Sequence, residues 1–254
     1  FSLIPEIKNA EIVFTLFGPF YAFTRAKSIT GFAQPWILYP NNLVNKNIET
    51  FLACDVLIID VPFGKQKENF LAYKKLALSI QKSSIKKIIF ISSTSVYADS
   101  NSVVTENSPF EINQAKKILV DLENLFLNHE GFQTTIIRFA GLIGGSRNPG
   151  NFFKEGRVVK NGLAPINLIH LKDCLEIIKL ISEGSFDKEI FNAAADSHPT
   201  REEFYTAATL LQNKTPATFL DNNDFTFKII SNEKLKKALN YTFIYSDLMD
   251  LVKS

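Results

Sequence analysis

Apolar residues come in short uninterrupted runs through the first two thirds of the chain, and stretches with helical spacing lie between them. The clearest runs are VLIIDV at 56–61, IIFI at 88–91 and TIIRF at 135–139. Runs of this length and composition are typical of strands buried on both faces. Over 66–82 and 112–131, apolar residues recur every three or four positions, which predicts two amphipathic helices. Strand, helix and strand in this order predict an α/β protein with a doubly wound parallel sheet.

The remaining parts of the chain are less regular. Before residue 50, apolar runs at 12–17 and 20–24 are compatible with short strands, whereas residues 31–50 predict irregular connection because they are rich in Pro, Asn and Gly. After residue 151, INLIHL at 166–171 and IFNAA at 190–194 predict two further short strands with a helix between them.

Polar residues mark the starts of two later helices. Thr200 and Glu203 have the spacing of a capping box, which predicts that a helix begins there. Ser231 has the residue type of an N-cap and predicts a last helix with Leu235 and Leu239 on one face.

Composition narrows the functional classes. The 254 residues are 46% apolar and include 23 Phe, which is enough apolar material for a large core. Lys and Arg number 28 against 26 Asp and Glu, with the signs mixed along the chain, so we expect neither a nucleic-acid nor a membrane partner. Cys54 and Cys174 lie in apolar stretches without the spacing of metal ligands, which predicts no metal site and a reduced, cytoplasmic protein.

Four hydroxyl residues, Ser92, Ser93, Thr94 and Ser95, directly follow the apolar run at 88–91. Ligands of parallel sheets bind beyond the carboxyl ends of the strands, so these hydroxyls predict a polar site at that edge of the sheet. The alternative is an ordinary Ser-rich turn after a strand.

Beyond these patterns, the chain resembles the extended short-chain dehydrogenases/reductases, the NAD-dependent epimerase/dehydratase family. The resemblance rests on short motifs that follow the family's order and together span most of the chain. The matching segments are VLIIDVP at 56–62, SSTSVY at 92–97, ENSP at 106–109, RFAGLIG at 138–144, HLKDC at 170–174 and FNAAA at 191–195. The resemblance implies a Rossmann-like NAD(P)-binding domain over 1–143 and a smaller α/β substrate-side domain over 144–254, of which 166–194 returns to the main sheet.

Two features of that family are missing. The glycine-rich loop that binds the cofactor pyrophosphate is absent, since the first glycine is Gly18 and the next is Gly31. We expect this loop to precede Phe1, with loss of cofactor binding as the alternative. The catalytic Tyr-x-x-x-Lys pair is also absent, because none of the seven tyrosines has a lysine four positions on. The matching positions are near Ala115 and Leu119, which we expect on the buried helix face, so the chain resembles the family's atypical members.

The resemblance implies roles for individual residues. Ser93 or Thr94 would be the catalytic group that holds the substrate oxygen, and Tyr97 and Arg147 would contact the substrate. Arg25, beside the adenosine ribose, would favour NADP slightly over NAD. The residues expected at the cofactor are Thr24, Arg25, Val61, Pro62, Phe63, Ser92, Phe139, Ala140, Gly141 and Leu142.

Two functions follow as hypotheses. The first is an NAD(P)-dependent epimerase, dehydratase or reductase that acts on a nucleotide sugar or a related hydroxyl or carbonyl substrate. The second is a non-catalytic NAD(P)-binding sensor or regulatory protein, which the missing Tyr and Lys favour. In either case we expect a monomer or homodimer with a small-molecule ligand.

Overall fold

The structure is a computed structural model, and the chain divides into two compact units that each combine separate parts of the sequence. Unit 1 consists of Phe1–Ser92, Asn113–Ile137 and Ile181–Ile190, and unit 2 of Ser93–Ile112, Arg138–Leu180 and Phe191–Ser254. The residues that the structure describes are 12–15, 27–32, 52, 54–60, 67–111, 113–220 and 225–253. The domain boundary at residue 143 stays a prediction.

Strands and helices both run through the described residues. The strands are β1 (Ile12–Thr15), β2 (Lys27–Phe32), β3 (Val56–Ile59), β4 (Lys87–Ser93), β5 (Ser102–Val104), β6 (Gln133–Phe139), β7 (Gly141–Ile143), β8 (Val158–Lys160), β9 (Leu168–His170), β10 (Glu189–Ala193), β11 (Thr218–Leu220) and β12 (Lys228–Ile230). The α-helices are α1 (Lys67–Gln81), α2 (Gln114–Leu127), α3 (Leu171–Glu183), α4 (Arg201–Leu210) and α5 (Glu233–Leu239).

The largest sheet among the described residues has the strand order β1-β2-β3-β4-β6-β10. Its first four strands pair in parallel, with Ile29 opposite Val56 and Val56 opposite Lys87. The last residues of β4, β6 and β10 belong to unit 2. The predicted α/β class with a parallel sheet is therefore confirmed.

The long apolar runs locate strands of the main sheet correctly, but β2 and the short strands β5, β7, β8, β11 and β12 were not predicted. β3, β4 and β6 form at the three predicted runs, and α1 and α2 form at the two predicted helices. β2 occupies 27–32, so the prediction that residues 31–50 are irregular is wrong at its first two positions. The segment KSITGF has only two large apolar residues, which is too few for a recognisable apolar run. The strand predicted at 20–24 lies outside the described residues.

The two predicted helix starts have different outcomes. Thr200 caps α4 as predicted, since its Oγ1 accepts from the Glu203 N–H at 3.2 Å and Glu203 Oε2 accepts from the Thr200 N–H at 2.9 Å. The predicted Ser231 cap is displaced by one residue: the N-cap of α5 is Asn232, which makes no side-chain capping bond, while Ser231 Oγ accepts from the Glu233 N–H at a long 3.5 Å. The Asn232 amide donates instead to the Ala194 carbonyl at 2.9 Å, so a long-range bond fixes this helix start.

Aromatic rings join the helices of unit 1 to its sheet. The buried residues of α1 recur at helical spacing: they are Tyr73, Leu76, Ala77 and Ile80. Tyr73 meets Phe126 of α2 edge-on, with ring centroids 6.2 Å apart, and Phe126 lies 5.2 Å from Phe90 of β4. Phe90 and Phe126 are fully buried, so one aromatic cluster holds both helices against the strand that leads to the hydroxyl turn.

A buried carboxylate holds the C-terminal part of unit 2. Asp173 of α3 has no exposed surface. Its Oδ1 accepts from the Tyr241 hydroxyl and from the Ile244 N–H, both at 2.7 Å, and its Oδ2 accepts from the Tyr245 N–H at 3.2 Å. Because the carboxylate satisfies three donors of one segment, it ties residues 241–245 to the start of α3.

Replacing this carboxylate therefore has a predictable effect on stability. We expect Asp173→Ala to lower the free energy of unfolding by about 2–4 kcal/mol, because buried donors would lose their acceptor. Tyr241→Phe removes only one of the three bonds and should cost about 1 kcal/mol. Urea denaturation of the two variants beside the wild type measures both values. Equal losses in the two variants would contradict this account.

Candidate functional site

A cavity of about 390 Å³ lies in unit 2 where β4 ends. Its lining comes from segments that are far apart in the sequence, namely 93–95, 140–141, 164–168 and 226–228, together with Asp99, Arg201 and Tyr205. Three of the four hydroxyl residues that follow the predicted strand, Ser93, Thr94 and Ser95, therefore line a cavity, and the alternative of an ordinary Ser-rich turn does not describe them fully.

The hydroxyl wall of the cavity is a short 3₁₀ turn, Thr94–Val96, capped by Ser93. Ser93 Oγ accepts from the Ser95 N–H at 3.1 Å, which leaves the Ser93 hydroxyl proton free to donate. Thr94 is only 6% exposed, and its hydroxyl donates to the Phe139 carbonyl at 3.4 Å. Of the two predicted catalytic residues, Ser93 thus offers the donor that a ligand can reach.

The end of β6 forms the neighbouring wall. The Ala140 N–H donates to the Ala193 carbonyl at 2.9 Å, and the Gly141 N–H donates to the Asn167 carbonyl at 3.0 Å. A Cβ at Gly141 would lie 2.7 Å from Leu168 Cδ2 and 3.2 Å from the Asn167 carbonyl oxygen, so a larger residue here would require the Leu168 side chain to shift. Both residues were predicted at the cofactor, and both line the cavity.

Behind the hydroxyl turn lies a buried polar network. Arg138 is 1% exposed, and its guanidinium donates to Tyr97 Oη at 2.5 Å. Tyr97 Oη donates in turn to Asn192 Oδ1 at 2.7 Å, and the Asn192 N–H donates to Glu106 Oε1 at 2.8 Å. Burial raises the pKa of Tyr97, and the Arg138 charge only partly opposes this rise, so the phenol stays protonated at neutral pH.

Tyr97 has no exposed surface, and its side chain is not among those that line the cavity. Its predicted contact with substrate stays a prediction that this position does not favour. Arg147 also lies away from the cavity lining: its Nε donates to the Leu142 carbonyl at 3.0 Å, and its guanidinium lies 5.8 Å from the Phe152 ring centroid. Arg147 is exposed, and its predicted role with substrate remains untested as well.

The other predicted cofactor residues divide into described and undescribed ones. Ser92 is buried in unit 1 and donates to Glu123 of α2 at 2.5 Å, so its hydroxyl is already used. Phe139 is buried, and Leu142 is exposed without lining the cavity. Five predicted contacts lie outside the described residues: Thr24, Arg25, Val61, Pro62 and Phe63.

The helix positions that would carry the missing Tyr and Lys hold no acid or base. Leu119 is buried in α2 as predicted. The prediction that Ala115 faces the interior is wrong, because it lies exposed in the first turn of the helix. The nearby Lys117 pairs with Asp121 on the surface, with 3.4 Å between Nζ and Oδ2. Nothing in these positions replaces the phenol and ammonium groups.

The sequence patterns did not predict the charged wall of the cavity, which consists of Asp99, Arg201 and Lys228. Lys228 of β12 places its Nζ 2.7 Å from Asp99 Oδ1 and 2.8 Å from the Tyr97 carbonyl oxygen. Arg201, the first residue of α4, donates to the Lys160 carbonyl at 3.1 Å, and Tyr205 follows one turn later on the same face. These residues lie more than a hundred positions from the hydroxyl turn, so no local pattern connects them with it.

The described part of the site fits the nicotinamide end of a dinucleotide in its chemistry. It offers the Ser93 hydroxyl, further hydroxyls at 94–95 and a close backbone approach at Gly141, and its single lining carboxylate, Asp99, is paired with Lys228. The residues predicted for the adenosine end fall outside the described ranges. Among the described residues, no group of three or more His, Cys, Asp or Glu side chains is arranged to hold a metal ion. No helix there is both long enough and apolar enough to cross a membrane.

Comparison with known proteins identifies a sequence relative of this chain and solved structures with a similar fold. It is 32% identical to protein YeeZ of Escherichia coli K12 over 207 residues, which are 79% of this chain and 75% of YeeZ. No family model matches it. Its fold resembles a short-chain dehydrogenase/reductase superfamily protein from Agrobacterium tumefaciens with bound NAD, with TM-score 0.71, 14% identity and coverage of 90% and 88% of the two chains.

A second solved structure with the same fold is the UDP-N-acetylglucosamine 4-epimerase of Methanobrevibacter ruminantium in complex with UDP-N-acetylmuramic acid. Its TM-score is 0.68 at 17% identity, covering 89% of this chain and 88% of the epimerase. At such identities the likeness concerns the fold, whereas the similarity to YeeZ extends to the sequence. This chain therefore belongs to the family of Escherichia coli YeeZ, and its fold is that of the NAD-dependent epimerase/dehydratase branch of the short-chain dehydrogenases/reductases.

Proposed function

We propose that this protein is an NAD(P)-dependent oxidoreductase of the epimerase/dehydratase type that acts on a nucleotide sugar or a related hydroxyl or carbonyl compound. The observation that carries the proposal is the juxtaposition of the hydroxyl turn and Gly141 at one cavity of about 390 Å³. Nucleotide-sugar enzymes with this fold support the substrate class, and a neighbour with bound NAD supports the cofactor.

The nicotinamide, when bound, supplies hydride transfer, and the chain supplies binding and orientation. Ser93 holds the reacting oxygen of the substrate with its free hydroxyl proton. Thr94 has a different part, since its hydroxyl is bonded to the Phe139 carbonyl and thereby fixes the turn to the end of β6. Binding energy from the rest of the cavity then holds the ligand in place.

A second candidate, a non-catalytic NAD(P)-binding sensor, has one specific observation in its favour. Ala115 and Leu119 of α2 cannot transfer protons, and a general base contributes about 10²–10⁴-fold to such reactions. Both candidates require binding of the dinucleotide, but only the enzyme requires turnover.

Cofactor binding is tested by thermal-shift titration of the full-length protein with NADH and with NADPH. At about 100 times its dissociation constant, a nucleotide stabilises the folded state by about 2.7 kcal/mol, so we expect the melting temperature to rise by about 5 °C or more. If Arg25 favours the 2′-phosphate, the shift is larger with NADPH. Stabilisation by neither nucleotide would remove both candidate functions.

Ser93→Ala distinguishes the enzyme from the sensor once turnover is measured on a panel of nucleotide sugars. We expect kcat/KM to fall about 10²-fold, as when one donor to a developing oxyanion is removed, while the melting temperature changes little. Ser100→Ala is the matched control, because Ser100 is exposed and does not line the cavity. Nucleotide binding with no turnover by the wild type would favour the sensor, and equal rates of the two variants would remove Ser93 from catalysis.

A further inference from the structure

The positive charges that line the cavity outnumber the negative ones. They are Asp99, Lys228 and Arg201. Lys228 is neutralised by Asp99 at 2.7 Å, and its side chain is only 16% exposed. One positive charge, that of Arg201, therefore remains for a ligand. A cavity that is lined by one uncompensated cation attracts an anion.

Arg201 keeps most of its donors available. Its only hydrogen bond from the side chain goes to the Lys160 carbonyl, a neutral acceptor, and it forms no ion pair with any carboxylate among the described residues. A guanidinium has five N–H groups in a planar fork that matches the two oxygens of a phosphate or a carboxylate.

Tyr205 supplies a second donor one turn along the same helix face. It is 9% exposed, and no described residue hydrogen-bonds to its hydroxyl. Its ring is held by Phe153, with centroids 4.9 Å apart at 81°, and by Phe152 at 5.9 Å. The hydroxyl has no partner among the described residues and is not itself a buried atom, so it can donate to a ligand in the cavity without giving up an existing bond.

The protonation state of this phenol suits a donor. Burial raises the pKa of Tyr205, and the charges of Arg201 and Arg147 only partly oppose the rise. The hydroxyl therefore keeps its proton at neutral pH and donates rather than accepts towards an anionic oxygen.

We propose that Arg201 and Tyr205 together form a receptor for an oxyanion of the ligand, a phosphate or a carboxylate. The inference rests on the cavity that carries the proposed function, but it does not require the nicotinamide cofactor. It narrows the ligand to an acidic compound and assigns its anionic end to α4.

Calorimetric titration of the full-length protein with UDP-glucose, UDP-glucuronate, glucuronate and inorganic phosphate tests the receptor. We expect both UDP-sugars to bind the wild type, and Arg201→Gln to weaken binding about tenfold or more, since a charge-assisted pair of hydrogen bonds is lost. Tyr205→Phe should weaken binding about three- to tenfold. Arg201→Lys keeps the charge but loses the fork, so its affinity should fall between those of the wild type and Arg201→Gln.

Two variants serve as matched controls. Arg157→Gln removes an arginine that does not line the cavity, and Tyr245→Phe removes a phenol outside it, so both should bind the UDP-sugars as the wild type does. Melting temperatures of all variants show whether each one is folded. A similar loss with both UDP-sugars and with phosphate identifies phosphate as the bound group, whereas a loss confined to UDP-glucuronate and glucuronate identifies the carboxylate.

The proposal is overturned if the wild type binds none of the four compounds, or if Arg201→Gln or Tyr205→Phe binds them as tightly as its control. Failure of the proposed function looks different. In that case NADH and NADPH do not stabilise the protein, while the UDP-sugars still bind in an Arg201-dependent manner.

Discussion

A cation buried at the end of β6 is the constraint on which the candidate site depends. Besides its bond to Tyr97, the Arg138 guanidinium lies 5.1 Å from the Tyr97 ring centroid and 5.0 Å from that of Phe110. A buried charge that loses its partners costs several kcal/mol, so the Tyr97 side chain is held beside Arg138. Tyr97 is bonded onward to Asn192 of β10, and the 3₁₀ turn at 94–96 immediately precedes it in the chain. The network thereby ties the ends of β4, β6 and β10 together within unit 2 and holds the hydroxyl turn at the cavity.

The same network explains why a conspicuous tyrosine is a poor substitute for the missing base. A catalytic phenol needs a lowered pKa and access to the substrate. Tyr97 has neither, because burial raises its pKa and both of its hydrogen-bonding capacities are used by Arg138 and Asn192. Its side chain does not line the cavity but stabilises the hydroxyl turn through its bonds to Arg138 and Asn192. Its main chain contributes directly, since the Tyr97 carbonyl accepts from Lys228 and helps to place the charged wall.

The sequence predicts those features that depend on neighbouring residues. Apolar runs located β3, β4 and β6, and the capping box located α4. Burial on both faces produces a continuous apolar run, and a capping box involves residues only three positions apart, so both signals can be recognised in the sequence. Predictions failed where distant residues decide the outcome. The start of α5 is set by a bond from Asn232 to Ala194, and Ala115 is exposed because the buried residues of α2 begin only at Leu119. Arg201, Tyr205 and Lys228 were missed for the same reason: only the folded chain brings them to the cavity that Ser93 lines.

The donors and acceptors of the cavity also bear on the proposed chemistry. Oxidation of an alcohol needs a base that removes the hydroxyl proton, and α2 has only Ala115 and Leu119 where the base would be. Reduction of a carbonyl needs donors that stabilise the developing negative charge on oxygen. Ser93 has a free hydroxyl proton that can stabilise this charge, whereas the single O–H of Tyr205 is assigned to the oxyanion of the ligand. The group that removes the proton in the oxidation donates it in the reduction, so the absence of Tyr and Lys from these positions of α2 affects both directions alike, and the donors of the cavity serve to bind and orient the reacting oxygen.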